Sequence, residues 1–168
     1  MAVGYVREIW RYPVKSMAGG MLRTSPVSLA GMVGDRNWAL RDDTLGDFDA
    51  FPIHLLTTAS LHAMAGTNPA SLWDVRRFRP NFLIDTGDGD TGFVENSWTG
   101  RRLRIGEVVM QCEIPTVRCG MTTHVQADLP KDPSVLRAIV RDAGQNLGIY
   151  ARVITAGAAA TRDPVQLL

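Results

Sequence analysis

Lysine is almost missing from this chain. Of its 18 cationic residues only Lys15 and Lys131 are lysines, so positive charge rests on planar guanidinium groups, the side chain suited to fork-shaped contact with phosphate or carboxylate. A GC-rich genome would give the same bias. An excess of either sign is also missing: 18 cations stand against 17 acids, a formal net charge of +1. That balance excludes a general nucleic-acid or membrane-surface role and leaves room for a local basic pocket. No run approaches the roughly 18 uninterrupted apolar residues of a transmembrane helix. The opening MAVGYVREIWRYPVK has no apolar signal-peptide core and reads as the start of the fold. Cysteine is limited to Cys112 and Cys119, which without an export signal implies free thiols in a reducing cytoplasm.

Familiar catalytic signatures are absent as well. There is no H-E-x-x-H, no G-x-S-x-G, no G-x-G-x-x-G and no Walker loop, so zinc protease, α/β-hydrolase and the usual nucleotide folds are set aside. His54, His62 and His124 stand at no ligand spacing with Cys, Asp or Glu. The DTGDGDTG stretch misses the calcium-loop spacing and is better explained as a hairpin turn. Cys112 and Cys119 match no common zinc spacing.

What is present is many short β-rich segments and two helices in 168 residues, the length of one domain. The pattern predicts strands over Val3–Arg11, Ser25–Leu29, Arg36–Arg41, Arg77–Asp85, Gly92–Trp98, Arg101–Ile105, Val108–Ile114, Ile149–Thr155 and Pro164–Leu168. In the clearest of these Val108, Met110, Cys112 and Ile114 share an apolar face. A short helix capped by Thr57 or Thr58 is expected to end at Gly66. A second, opened by Asp132-Pro133, is expected to carry an apolar stripe of Val135, Leu136, Ile139, Val140, Ala143 and Leu147 as far as Gly148. The tally predicts a mainly β protein with a few helices, a mixed β-barrel of α+β type.

The chemistry concentrates at the ends of one stretch, Arg77–Thr123. Arg79-Pro80-Asn81 stands at one end and Pro115-Thr116-Val117-Arg118-Cys119-Gly120 at the other. An adjacent cation is the setting in which a cysteine acts as a thiolate, a soft ligand for a soft metal. Lys15, Arg36, Arg79 and Arg118 all fall at strand ends or turns; brought to one rim they would form a phosphate clamp, and left apart they are solvated charges. Cys112, on the apolar face of its strand, is expected to be an inert core residue.

Four blocks, Tyr12-Pro13-Val14-Lys15-Ser16, Gly34-Asp35-Arg36-Asn37-Trp38, Arg77-Phe78-Arg79-Pro80-Asn81 with Glu95-Asn96-Ser97-Trp98, and Arg118-Cys119 with Thr122-Thr123, resemble in order and character the MOSC family. The family is named for the C-terminal part of molybdenum cofactor sulfurase, and the blocks are most similar to its branch of amidoxime-reducing components. The closing Asp163-Pro164-Val165 also fits. The resemblance implies a MOSC-type barrel over residues 51–168, preceded by a shortened N-terminal β lobe over 1–50. It implies binding of the molybdenum cofactor, molybdopterin, with Cys119 ligating the metal. Lys15, Ser16 and Arg36 would hold the cofactor from the lobe, and Arg79, Asn81, Thr116 and Arg118 from the barrel. Pyridoxal phosphate binding is a further association of the family. Val117 departs from the polar residue often found before the Arg-Cys pair. No cysteine-rich iron–sulfur segment follows the barrel, so electrons are expected from a separate donor protein. The expected activity is reduction of N-oxygenated or similar small molecules in the cytoplasm. Sulfur transfer through a Cys119 persulfide and a non-catalytic cofactor-binding module are the alternatives.

Overall fold

The computed structural model describes residues 1–15, 17–37 and 51–168. Its elements are β1 (Ala2–Arg11), β2 (Gly20–Leu22), β3 (Thr24–Ser28), β4 (Gly31–Met32), β5 (Ile53–Thr57), α1 (Thr58–Thr67), β6 (Phe82–Asp85), β7 (Arg102–Ile105) and β8 (Val108–Val117). They are followed by α2 (Pro133–Ala143), β9 (Asn146–Thr155), β10 (Gly157–Ala160) and β11 (Pro164–Leu167). One sheet runs in the order β11-β7-β8-β9-β5-β6-β1-β2, and a further pairing of β11 with β1 closes seven of its strands into a barrel. β2 hangs on β1 outside the ring. All these pairs are antiparallel except β5 with β6, so the barrel is mixed. A smaller sheet, β10-β3-β4, lies beside it. β1 comes from the segment expected to form a separate lobe, yet it is a stave of the barrel between β6 and β11.

The barrel interior is filled by alternate residues of its staves, among them Val6, Ile9, Leu55, Phe82, Ile84, Met110, Cys112, Ile149 and Ala151. A second cluster, Leu56, Met64, Phe78, Leu83, Val135, Ile139 and Leu147, packs under the two helices. β5 is buried along its whole length because Leu55 points into the first cluster and Leu56 into the second. The pleat puts His54 on the side opposite Leu55 and, across the pairing of β5 with β9, opposite Tyr150.

Several expectations need correction. Gly92–Trp98 is not a strand: Val94–Trp98 forms a 3-10 helix, because the Glu95 carboxylate is drawn inward to accept from Thr57 Oγ1 at 2.7 Å and from Ser60 Oγ at 2.6 Å. Arg77–Asp85 shortens to Phe82–Asp85, since Val75–Arg77 is a 3-10 turn and Arg79 takes a positive φ of 54°. Gly66 lies inside α1, which ends at Thr67 with Asn68 N–H donating to the Met64 carbonyl. α2 stops at Gly144, a left-handed C-cap, rather than at Gly148, so Leu147 belongs to β9, while Val140 is exposed. The apolar face of β8 breaks at a register shift between Cys112 and Pro115, which turns Ile114 out to 46 % exposure. Arg36 lies in a bend and Asn37 in no regular element; the rest of the expected strand Arg36–Arg41 falls outside the described residues.

Candidate functional site

β8 ends on the arginine and cysteine that the sequence singled out. Beyond Val117 the chain turns at Cys119, the N-cap of a 3-10 turn over Gly120–Thr123. The Cys119 carbonyl accepts from Thr122 N–H at 3.3 Å and Thr122 Oγ1 at 3.1 Å, so the cysteine rides on a hydrogen-bonded turn. Its side chain is exposed and borders a cavity of about 600 Å³. Cys112 is the opposite case, fully buried, with burial pushing its thiol up to about 12.

Five cations line this cavity, Lys15, Arg36, Arg77, Arg79 and Arg118, and no carboxylate is among the described residues that line it. Apolar groups form the rest of the wall, chiefly Phe51, Ile114, Pro115, Val117 and Tyr150. The expected convergence of Lys15, Arg36, Arg79 and Arg118 is therefore present. Ser16 lies outside the described residues.

The cations are held in unlike ways. Arg36, at a positive φ of 49°, pairs with Asp35 and donates to the Arg79 carbonyl at 3.2 Å. Arg79 lays its guanidinium over the Tyr12 ring, 4.2 Å from the centroid, and donates to the Met17 carbonyl. Tyr12 is itself buried, and desolvation raises its pKa despite both arginines. Arg118 is buried, and desolvation brings its pKa down to about 10 although Tyr150 and Cys119 work against the fall. It keeps its charge at neutral pH. Its donors go to the carbonyls of Leu147 and Phe78 and to His54 Nε2.

Arg77, only 1 % exposed, donates to the carbonyls of Leu72, Thr122 and Pro130. Neither Arg77 nor Arg118 meets a carboxylate within ion-pair distance among the described residues. Buried cations are expensive unless compensated. Two of them, answered only by backbone carbonyls and the neutral His54 ring beside one cavity, leave a net positive site.

Two expected cofactor contacts sit elsewhere. Asn81 is fully buried and does not border the cavity; its Nδ2 donates to Asp35 at 2.9 Å and its Oδ1 accepts from His54 N–H at 3.0 Å. Thr116 is fully buried behind the wall, and its Oγ1 has no hydrogen-bond partner among the described residues. Conversely, His54 and Arg77 line the cavity without having been named as cofactor contacts, and Tyr12 backs Arg79 from outside it. The one signal for His54 was a lone polar residue inside the apolar run Phe51–Leu56. Arg77 entered only as the first residue of the block Arg77-Phe78-Arg79-Pro80-Asn81, with no role of its own.

The closed mixed barrel has solved counterparts. The YUAD protein from Bacillus subtilis superposes with a TM-score of 0.76 at 18 % identity, over 98 % of this chain and 94 % of that one. YiiM from Escherichia coli does so with a TM-score of 0.64 at 16 % identity, over 99 % and 69 %. At such identities the likeness is one of fold. Over 78 residues the chain is 38 % identical to a molybdenum cofactor sulfurase of Drosophila mojavensis, which covers 45 % of this chain and only 9 % of that protein. Residues 41–166 match the MOSC domain and residues 3–68 the MOSC N-terminal beta barrel domain. The chain belongs to the MOSC domain family.

Proposed function

We propose that the cavity beside Cys119 binds the molybdenum cofactor and that the protein is an oxidoreductase of the amidoxime-reducing kind, acting on N-oxygenated or similar small molecules. The observation that carries the reading is the exposed Cys119 thiol on a cavity lined by five cations and no carboxylate. Those residues fit the group: a soft sulfur donor for the metal, guanidinium and ammonium groups for a phosphate, and buried charge that calls for an anion. Among the described residues no cluster of three His, Cys, Asp or Glu offers another metal site. When bound, the cofactor supplies the oxygen-atom and electron chemistry.

The chain's own residues supply the rest. Cys119 holds the metal from a rigid turn. Arg36, Arg79 and Lys15 neutralise anionic charge from the N-terminal side, and Arg77 and Arg118 from beneath. Of the remaining motif residues Ser16 is a further cofactor contact on the resemblance, while Asn81 and Thr116, buried away from the cavity, would support it indirectly, Asn81 through Arg36 and His54. Ile114, Pro115 and Tyr150 limit water and offer apolar surface to a substrate. Electrons come from a separate donor protein in the cytoplasm. On this reading the shortened lobe over residues 1–50 contributes Lys15 and Arg36 to the cavity, and the barrel over 51–168, completed by β1, contributes the rest.

Sulfur transfer is the second reading, favoured by one observation, the local identity to a molybdenum cofactor sulfurase. Expression in a host that makes the cofactor, followed by molybdenum analysis and pterin fluorescence, tests the first. Stoichiometric molybdenum that is lost in Cys119→Ser is expected. A metal-free protein bearing a stable Cys119 persulfide would replace the oxidoreductase with the transferase.

A further inference from the structure

Arg118 has five N–H groups to place. Nε and Nη2 both donate to the Leu147 carbonyl, at 2.8 and 2.5 Å, and Nη1 donates to the Phe78 carbonyl at 3.0 Å. The other Nη2 hydrogen goes to His54 Nε2 at 2.6 Å. Three of these bonds end on backbone oxygens, which the fold supplies whatever side chains stand there. His54 is the one acceptor that a substitution can remove. One Nη1 hydrogen is left without an acceptor among the described residues.

A guanidinium only donates, so Nε2 of His54 is the lone-pair nitrogen and the ring proton sits on Nδ1. Burial, reinforced by Arg118 and Arg36, keeps this imidazole neutral, its pKa well below the usual value. The residue is clamped. Asn81 accepts from the His54 N–H at 3.0 Å through its side chain and donates its own N–H to the His54 carbonyl at 2.8 Å. On the far side stands Gly148, where a Cβ would lie 2.4 Å from Nε2. Asn81 Oδ1 also receives Arg36 Nη1 at 3.4 Å. Arg36 and Asn81 thus hold the His54 backbone, while the His54 ring meets Arg118, the residue before Cys119.

The geometry points to His54 as a positioning residue: by taking one Nη2 hydrogen it fixes the plane of the Arg118 fork and turns the remaining Nη1 hydrogen toward an anionic ligand beside Cys119. This role rests on the reading that the cavity takes an anion, and on no particular anion.

Cys119 itself reports on this. In cofactor-free protein at one pH, its rate of alkylation by anionic iodoacetate divided by its rate with neutral iodoacetamide measures positive potential at the thiol. The thiolate fraction enters both rates and cancels. His54→Phe keeps a ring and removes the acceptor, and the ratio is expected to fall on the order of several-fold. His54→Gln, whose amide oxygen can reach the same hydrogen, is expected to restore it. General loosening of the fold changes both rates together and leaves the ratio in place. An unchanged ratio in folded His54→Phe, or a ratio in His54→Gln as low as in His54→Phe, overturns the assignment. If His54→Phe does not fold, ring-nitrogen NMR of the wild-type protein decides. A neutral ring protonated on Nδ1 is expected, and a ring carrying its proton on Nε2 refutes the contact. Molybdenum content is a separate readout: metal-free protein with a His54-dependent ratio would sink the cofactor reading and leave the positioning role standing.

Discussion

Gly148→Ala puts the packing behind the site to a quantitative test. Gly148 has a φ of +86°, and a Cβ there would lie 2.4 Å from His54 Nε2 and 2.6 Å from the Leu55 carbonyl oxygen. Two costs combine. The left-handed backbone costs a non-glycine residue roughly 1–2 kcal/mol, and forcing a methyl into a packed wall costs about 1–3 kcal/mol more. The Leu55 oxygen belongs to β5 and is held by the sheet, so His54 must give way, moving off Arg118. The sum is roughly 2–5 kcal/mol, a large share of the ~5–15 kcal/mol that stabilises a typical domain. With a urea dependence of about 1–3 kcal/mol per molar, the unfolding midpoint should fall by about 1 M or more. Gly144→Ala is the control. Gly144 also has a positive φ, 56°, but its nearest neighbour would be 4.0 Å away, so only the backbone cost of roughly 1–2 kcal/mol applies. Equal midpoints for the two variants would refute the claim that His54 is wedged between Gly148 and Arg118.

Cys112→Ser places an unpaired hydroxyl in the barrel interior and should cost on the order of 1–3 kcal/mol by urea unfolding; a neutral effect would mean the interior can hydrate that position. His54 gives the protein a pH slope. Its folded pKa is depressed, so the unfolded chain takes up a proton below about pH 6.5 that the folded one refuses, and stability falls with decreasing pH by at most ~1.4 kcal/mol per unit. Glu95, its pKa raised by burial, opposes this between its raised value and about 4.3, where the folded state holds the extra proton. His54→Gln should flatten the slope just below pH ~6.5; an unaltered slope assigns it to other groups. Arg77→Met leaves the carbonyls of Leu72, Thr122 and Pro130 without their donors and should cost at least about 2 kcal/mol, a value under 1 kcal/mol counting against its role beneath the Cys119 turn.

The barrel was legible where side chains alternate and the alternation is kept. Val108, Met110 and Cys112 do face the core. Ile114 does not, because the extra residue of a bulge is a property of two strands together and leaves no mark on one. Val94–Trp98 has strand composition but is ruled by Glu95, whose pull toward Thr57 and Ser60 comes from residues far off in sequence. At the site, the expected cations do converge and Cys119 is exposed. Arg118 and Asn81 were legible as residue types and not as contacts. Their partners are largely backbone groups of Phe78, Leu147 and His54, and any residue can supply a carbonyl or an amide. For the same reason Arg77 and His54 could not be told from an ordinary charge and an ordinary histidine.

Closure of the barrel through β1 and β11 also shapes how the chain reaches this state. Met1 N donates to the Leu167 carbonyl at 3.0 Å, so the ring is sealed by residues from opposite ends of the sequence. During synthesis β1 is made before both of its neighbours in the ring and must wait for β6 on one side and for β11 on the other. Until then its edge presents unpaired N–H and C=O groups to any extended segment nearby. Loops of such length close late and slowly, so the rest of the sheet has to hold β1 in register before the seal forms. The Cys119 turn depends on β8 and β9, whose pairing closes a much shorter stretch of chain than that of β1 with β11, and can be in place earlier. A chain stalled short of β11 would therefore already carry the cysteine turn while its barrel stood open, a state prone to pairing with its neighbours.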